Sequence, residues 1–321
     1  MNEPLVSLVV LNWNGRDIIK KCLDSLTLLT YENREIIVVD NASTDGSPEY
    51  LESIEGITVV KNAANLGYAA GNNKGVAAAK GKYVAVINND IVVEPSWLSL
   101  LVAVLEKDGS IGIISGRQMN YYQRNTIDVM YTYLAYDLMM HEKDSTKVYD
   151  PTCYYHGPCR VMGVSGASAV FRKSMFDELH GFDETLYAYH EESDLCMRAF
   201  LAGYKCVFVP DAVAYHQRSV SFSKIKGTAF YYQTRNRIWF VFRYAPLHLL
   251  LLHGILIIIR ELRIIRVAAF KTRLLEYYLR AVAHGLAALP AMYPQRKQNM
   301  KALARKKHIY RRLRKKKFLP V

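Results

Sequence analysis

Polar clusters follow two apolar segments of this chain, and their side chains suit the binding of a nucleotide and a cation. Asp40 ends the segment EIIVVD, and Asn88-Asn89-Asp90 closes the segment YVAVINND. A carboxylate at position 40 can accept hydrogen bonds from a base imide group or from ribose hydroxyls. A carboxylate at position 90, beside a diphosphate, can bind Mg²⁺ or Mn²⁺, which are hard ions that prefer oxygen ligands and stabilise charge on a leaving group.

Both clusters also have a structural interpretation that needs no ligand. Asp40 and Asp45 can cap a helix that begins near Ser47. The sequence Asn88-Asn89-Asp90 is also favourable turn chemistry after a strand. The residue types and their spacing leave both interpretations open.

Three acidic residues, Glu191, Glu192 and Asp194, open a predicted helix with the sequence EESDLCMRAFLAG. Acidic side chains in a first helical turn stabilise the helix dipole, which requires no catalytic role. In the catalytic interpretation, one carboxylate projects into a cleft and deprotonates an attacking hydroxyl as a general base. Crowded like charges raise one another's pKa, which suits a base that acts near neutral pH.

His216 follows another strand-like segment, VFVPDAVAYH. A single histidine is more often structural than a metal ligand. We therefore expect His216 to be a ligand only if the fold brings its ring close to Asp90.

The elements that position these residues alternate between apolar strands and helices. Apolar, β-branched segments cover 6–11, 35–40, 57–61 and 83–88, and an amphipathic helical pattern covers 17–28. Such segments predict an α/β fold with a mostly parallel sheet that is covered on both faces by helices. In sheets of this kind ligands bind at the carboxyl ends of the strands, where the polar clusters lie.

The regular pattern is lost between 119 and 159, where tyrosines are frequent. This stretch leaves the predicted sheet. It is equally compatible with the lining of an acceptor groove and with an amphipathic packing segment.

The net charge of +13 over 321 residues is divided unevenly along the chain. Residues 222–321 contain 23 Lys and Arg and two acidic residues, whereas residues 1–221 contain 19 and 27. This asymmetry predicts a catalytic domain over 1–221 and a basic, partly apolar helical region for membrane association over 222–321. Since a strand pattern begins by Leu5, we expect no signal peptide and a cytoplasmic protein.

The C-terminal third favours peripheral or monotopic attachment to the anionic cytoplasmic face of the membrane. Residues 246–259 are almost entirely apolar but fall short of the roughly 20 residues that a spanning helix needs. Basic and apolar residues then alternate over 260–273, as in an interfacial helix, and 296–317 contains twelve Lys and Arg. Tilted or hairpin insertion of 246–265 and a solvated basic tail remain alternatives. No nucleic-acid-binding motif accompanies the tail, so we expect no nucleic-acid partner.

Seven segments, taken in order, resemble glycosyltransferase family 2, in particular its rhamnosyl- and galactofuranosyl-transferase-like branch. The resemblance implies a GT-A fold, with a Rossmann-like sheet, a nucleotide-sugar donor, a divalent metal and inversion at the anomeric carbon by a single displacement. It covers about residues 5–216. The segments are VSLVVLNWNG, EIIVVDNASTDGS, NLGYAAGNN, VAVINND, GVSGASAVFR, GFDE…YHEESDLCMRAFLAGY and AVAYH.

The resemblance also implies a role for individual residues. Glu192 matches the general base of the family, with Glu191 as the second candidate and Asp194 as a supporting residue. Asp90 matches the last residue of the metal-binding DxD motif, and His216 matches a histidine that completes the metal site in some relatives. The first position of that motif is Asn88 here. Matches to the donor site comprise Asn12, Asp40, Asn65, Gly67, Asn88, Asn89, Gly166 and Ala167.

We therefore expect an inverting, metal-dependent glycosyltransferase. It would move a sugar from a UDP- or dTDP-sugar to a lipid-linked or cell-surface polysaccharide acceptor. The alternative outside catalysis is a sugar-nucleotide-binding or membrane scaffold protein with a degenerate site, although such a protein should lack Asp90 or the Glu191-Glu192 pair. The sequence does not reveal the sugar, the linkage or the oligomeric state.

Overall fold

A computed structural model describes residues 3–153, 157–218, 226–270, 272–306 and 319–320. Within these residues the chain forms a large central sheet, a small two-stranded sheet and helices that cover them. The strands are β1 (Val6–Asn12), β2 (Arg34–Asp40), β3 (Ile57–Lys61), β4 (Tyr83–Asn88), β5 (Ile91–Val93), β6 (Ile111–Asn120), β7 (Ile127–Val129), β8 (Thr132–Leu134), β9 (Met140–Glu142), β10 (Cys159–Val161), β11 (Ser168–Arg172), β12 (Lys205–His216) and β13 (Leu319–Pro320). The helices are α1 (Ile19–Thr27), α2 (Ser47–Glu52), α3 (Gly67–Ala78), α4 (Trp97–Lys107), α5 (Lys173–Glu178), α6 (Glu191–Ala202), α7 (Lys226–Tyr244), α8 (Leu247–Phe270), α9 (Thr272–Ala287) and α10 (Leu289–Arg305).

The main path of the central sheet has the strand order β13-β10-β12-β6-β11-β4-β1-β2-β3. Strands β3, β2, β1 and β4 are mutually parallel, and β6 is parallel to β12. Strand β11 runs antiparallel between β4 and β6 and joins the two parallel groups. The predicted α/β fold with a mostly parallel sheet is therefore confirmed.

Both faces of β1, β2 and β4 are buried, which explains their continuous apolar sequences. One face packs against α1 and α4 in a core that contains Leu8, Leu26 and Trp97. The other face packs against α3, α5 and α6 in a core that contains Phe171 and Phe182. Because each strand is enclosed in this way, polar side chains gather at the carboxyl ends, where the strands leave the core.

The stretch between β6 and β10 carries short strands instead of a continuous element. Strand β7 pairs with the end of β6, and β8 and β9 form the separate two-stranded sheet. Tyr131 is buried against Phe208 of β12, with ring centroids 5.4 Å apart. This stretch therefore packs on the sheet, and β9 ends beside the site described below.

Helices α7 to α10 follow the sheet, and α7 and α10 pack on α6. A buried cluster joins Met197 of α6 to Phe240 and Tyr244 of α7 and to Leu303 of α10. In the part of the chain that the structure describes, no helix is both long and apolar enough to cross a membrane. The basic residues at 307–317 lie outside the described residues.

Candidate active site

The ends of β1, β2 and β4 lie side by side at one edge of the sheet. Asn12 is in register with Asp40, and Leu11 with Asn88. The Asn12 Nδ2 atom lies 3.4 Å from Asp40 Oδ1, and Asn89 Nδ2 donates to Asn12 Oδ1 at 2.8 Å. These contacts join three residues that are far apart in sequence into one cluster at this edge, which we call the polar floor: Asn12, Asp40 and Asn89.

Asp40 and Asp45 have different roles at this edge. Asp40 is buried and accepts a hydrogen bond from the backbone N–H of Ser43 at 3.1 Å. Asp45 accepts from the backbone N–H of Ser47, the first residue of α2, at 3.1 Å and from the backbone N–H of Arg16 at 2.8 Å. The start of the helix is thus held by Asp45, and Asp40 remains available as part of the polar floor.

Asn65 and Gly67 lie in a loop that Asn41 holds in place. Asn41 donates to Asn65 Oδ1 at 2.8 Å and accepts from the backbone N–H of Leu66 at 3.0 Å. Gly67 has a φ of 80°, and a β-carbon there would meet Tyr187 at 2.6 Å. Only glycine fits this position without strain. Sequence reasoning did not single out Asn41, although it directly follows Asp40.

The fold brings His216 to Asp90. His216 Nε2 lies 3.3 Å from Asp90 Oδ1, and His216 Nδ1 lies 2.8 Å from Asp128 Oδ2. Arg218 forms an ion pair with the same Asp128. Burial lowers the pKa of His216, but hydrogen bonds and charge from Asp128 and Asp90 outweigh that effect and raise it to about 9. The imidazole therefore bridges two carboxylates when it is protonated.

This arrangement fits a divalent ion. A carboxylate on one ring nitrogen fixes the orientation of a histidine whose other nitrogen binds a metal, and Asp128 occupies that position. Asp90 and His216 could supply two protein ligands, provided that the bound ion displaces the imidazole proton. Among the described residues, no group of three or more His, Cys, Asp or Glu side chains is arranged to hold an ion. Mg²⁺ commonly takes its remaining ligands from substrate phosphates and water. Asp128 lies in an aperiodic stretch of sequence, which gave no signal for it.

Glu191 and Glu192 begin α6 and line a cavity of about 370 Å³. Glu191 is buried, with 5% of its surface exposed. Burial, followed by the neighbouring charge of Glu192, raises its pKa well above the usual range. Glu192 is less buried and accepts a hydrogen bond from Ser193 Oγ at 3.2 Å, which favours its ionised form. Burial raises the pKa of Glu192 as well. Of the two carboxyl groups, the more deeply buried Glu191 therefore favours the neutral form more strongly.

Asp194 supports α6 from inside the protein. It is 2% exposed and accepts hydrogen bonds from Arg198 at 2.7 Å and from Tyr244 at 2.7 Å. Arg243 Nη1 lies 3.1 Å from Asp194 Oδ1, the oxygen that also accepts from Tyr244. These partners fasten α6 to α7, so we assign Asp194 a supporting role and not a role in proton transfer.

Tyr68 and Gly166 connect Asp90 with the pair of glutamates at the start of α6. The Tyr68 hydroxyl donates to the carbonyl of Gly166 at 2.8 Å. Burial raises the pKa of Tyr68, and the charges of Glu191, Glu192 and Asp90 raise it further. A β-carbon on Gly166 would meet Glu192 Cβ at 3.2 Å, so glycine gives Glu192 room. The next residue, Ala167, accepts from the backbone N–H of Asn88 at 2.9 Å.

The sequence model of Glycosyl transferase family 2 matches residues 7–180. The chain belongs to glycosyltransferase family 2. The matched range contains the polar floor, Asp90 and Gly166, and it ends before α6 begins. The family membership that the seven sequence segments predicted is thereby confirmed.

Two relatives and one solved structure illustrate what this family 2 chain resembles. An uncharacterized glycosyltransferase of Haemophilus influenzae is 38% identical over 114 residues, which are 34% of this chain and 35% of that protein. An N-acetylglucosaminyl-diphospho-decaprenol L-rhamnosyltransferase of Mycobacterium tuberculosis is 25% identical over 229 residues, 63% of this chain and 73% of that protein. The mannosyltransferase PcManGT from Pyrobaculum calidifontis, in complex with GDP-Man and Mn²⁺, superposes with a TM-score of 0.56 at 18% identity over 98% of this chain and 88% of that one.

These similarities establish the GT-A fold and the family of the chain. The chain spans only 25–40% of the length of several curated relatives that it matches. Its activity, substrates and partners are therefore argued from its own site.

Proposed function

We propose that this family 2 protein is an inverting, metal-dependent glycosyltransferase that uses a UDP- or dTDP-sugar. The observation that carries the proposal is that Arg218 pairs both with Asp128, the carboxylate behind His216, and with Glu142. Glu142 lines the same cavity as Glu191 and Glu192. One ion-pair network beside the polar floor therefore joins the candidate cation-binding pair to the candidate base. This is the arrangement that a single displacement needs, because the leaving group must be stabilised while the attacking hydroxyl is deprotonated.

The residues divide the reaction between them. Asp40 and Asn12 accept and donate hydrogen bonds at the edge where the nucleoside would lie. Asp90 and His216 would hold the divalent ion, which when bound supplies charge stabilisation for the departing diphosphate. Glu192 takes the proton of the acceptor hydroxyl. At the same time the hydroxyl oxygen bonds to the anomeric carbon, and the bond between that carbon and the diphosphate breaks. Because attack and departure occur on opposite sides, the configuration inverts.

We propose a lipid-linked or cell-surface polysaccharide acceptor, presented at the cytoplasmic face of a membrane. One outer face of α8 exposes large apolar side chains, including Leu251 at 78% and Ile255 at 62%. Monomeric soluble proteins rarely expose contiguous apolar surface of this kind. Arg263 and Arg266 are exposed further along the same helix and suit anionic head groups. The relative from Mycobacterium tuberculosis, whose name specifies a decaprenol-linked sugar, agrees with this acceptor class.

The first test is nucleotide binding by calorimetry, with and without Mn²⁺, for a panel of nucleoside diphosphates and nucleotide sugars. We expect UDP or dTDP to bind more tightly when Mn²⁺ is present. Turnover is then measured with the sugar nucleotides that bind, using N-acetylglucosaminyl-diphospho-polyprenol and free saccharides as acceptors. A folded protein that binds no nucleotide would contradict the enzyme assignment and favour a scaffold with a degenerate site.

Docking of α8 can be tested by replacing Leu251 and Ile255 together by glutamate. Burying a leucine or isoleucine side chain contributes about 1.5–3 kcal/mol, so the double variant should bind phosphatidylglycerol–phosphatidylcholine vesicles at least roughly 10²-fold more weakly. Vesicle co-sedimentation measures the affinity. The matched control replaces Leu28 and Val148 together by glutamate; these side chains are 69% and 66% exposed elsewhere on the protein. Equal vesicle binding by both double variants would contradict the proposed docking face.

A further inference from the structure

The turn that leads into α6 has an unusual backbone. Tyr187, Tyr189 and His190 have φ values of 65°, 70° and 70°. Side chains with a β-carbon rarely adopt positive φ, and such residues persist only where the surrounding structure holds them in place. This turn ends one residue before Glu191 and two before Glu192, so its shape sets the point at which both carboxylates enter the cavity.

One buried side chain of α7 holds most of this turn. Asn236 has no exposed surface, and its Nδ2 lies 2.9 Å from the carbonyl oxygens of Leu186 and Ala188 and 2.8 Å from that of Tyr189. The neighbouring Arg235 reaches the carbonyl of Leu186 at 3.1 Å. An amide side chain in a helix interior is not required for helix formation, and its burial must be compensated by hydrogen bonds.

The same turn also touches the donor side of the site. The carbonyl of Tyr187 accepts a hydrogen bond from the backbone N–H of Ala69 at 3.1 Å. The Tyr187 ring also leaves no space for a β-carbon at Gly67. The turn is therefore a connection between the start of α3, the start of α6 and helix α7.

We propose that Asn236 is a positioning residue for the general base. By binding the carbonyls of Leu186, Ala188 and Tyr189, it fixes the left-handed turn from which Glu192 enters the cavity. Helix α7, within the region that we assign to membrane association, is thus also part of the catalytic apparatus. The proposal rests on the proposed function, because it requires Glu192 to accept the acceptor proton.

The test compares Asn236→Ala with Asn299→Ala. Asn299 is a matched control, because it is also a buried amide of the C-terminal helices and its Nδ2 donates to one backbone carbonyl, that of Arg243, at 3.2 Å. Misplacement of a reacting group by about 1 Å can lower a rate by about 10²-fold, so we expect a kcat loss of that size for Asn236→Ala. Its donor KM and its calorimetric Kd for the nucleoside diphosphate should stay within about 3-fold. The reason is that Asn236 does not bind the carbonyl of Tyr187, the residue of the turn that contacts the donor side.

A second variant covers the case in which Asn236→Ala does not fold at the assay temperature. Asn236→Ser retains one hydroxyl donor and should give a kcat between those of the wild type and the alanine variant. Hydrogen–deuterium exchange should be faster in a peptide covering 184–195 for both Asn236 variants, but unchanged in Asn299→Ala.

Two failures can be distinguished in this experiment. If folded Asn236 variants keep the kcat of Asn299→Ala while Glu192→Gln is inactive, the positioning role is wrong and the proposed function stands. If Glu192→Gln is itself as active as the wild type, the assignment of the base fails, and the role of Asn236 fails with it.

Discussion

Replacing Glu192 by glutamine should lower turnover at least roughly 10²-fold, with the binding of the nucleoside diphosphate nearly unchanged. The substitution keeps the size of the side chain but removes the oxygen that accepts the proton of the acceptor hydroxyl. Steady-state kinetics and calorimetry on the same protein separate the two effects. Turnover near the wild-type value would exclude Glu192 as the base.

The neighbouring Glu191 provides a matched control for this substitution. Because burial favours the neutral form of Glu191, Glu191→Gln replaces that form by a neutral group of similar shape. We therefore expect Glu191→Gln to lose no more than about 10-fold in turnover, well below the range typical of a lost general base. The reverse order of the two losses would transfer the role of base to Glu191.

The pH dependence of kcat/KM gives an independent test of the same residue. Burial raises the pKa of Glu192, and the charge of Glu142 raises it further, although local hydrogen bonds oppose the shift. A base with a raised pKa becomes protonated, and hence inactive, at a higher pH than an ordinary glutamate. Activity should therefore fall on acidification at a pH above the ordinary glutamate range, and this dependence should disappear in the residual activity of Glu192→Gln.

The second large effect is expected at Asp90. Asp90→Asn should weaken Mn²⁺-dependent binding of the nucleoside diphosphate by more than roughly 10²-fold, since even residues behind a metal ligand change metal affinity by about 10- to 100-fold. The substitution keeps the shape of the side chain but removes the charge that faces His216 at 3.3 Å. Calorimetric titrations with and without Mn²⁺ measure the loss.

Asp211→Asn is the control for this prediction, because Asp211 is exposed on β12, the strand that also carries His216. It should keep the full Mn²⁺ effect. If Asp90→Asn also kept it, the ion would not be held by Asp90, and the proposed Asp90–His216 metal site would have to be abandoned.

Removing residues 222–321 would be a poor substitute for the point variants. Met197 of α6 is buried against Phe240 and Tyr244, and Asp194 is paired with Arg243. Deletion would expose an apolar cluster and leave a buried carboxylate with fewer partners, which is strongly destabilising. Loss of vesicle binding in such a protein would therefore not distinguish a missing membrane surface from unfolding.

The local elements of the parallel sheet could be predicted from the sequence alone. Strands β3 and β4 begin and end at the predicted residues, 57–61 and 83–88. Strands buried on both faces need continuous apolar sequence, and the polar residues that end this sequence mark the carboxyl edge. For the same reason Asp40 and Asp90 could be found as candidates: their carboxylates directly follow buried strands.

Only the tertiary structure decided which of these candidates act together and which residues hold them. Asp128 lies in an aperiodic stretch, and its contact with His216 joins positions 88 residues apart. Asn236 is a polar residue on a helix, a pattern that normally indicates a solvated face, yet it is fully buried. Asp194 belongs to the same acidic helix start as Glu192 but faces Arg198 and Arg243 in the interior. The hydrophobic periodicity of an element predicts which of its own residues are buried. The contacts described here arise only when elements distant in sequence pack against each other.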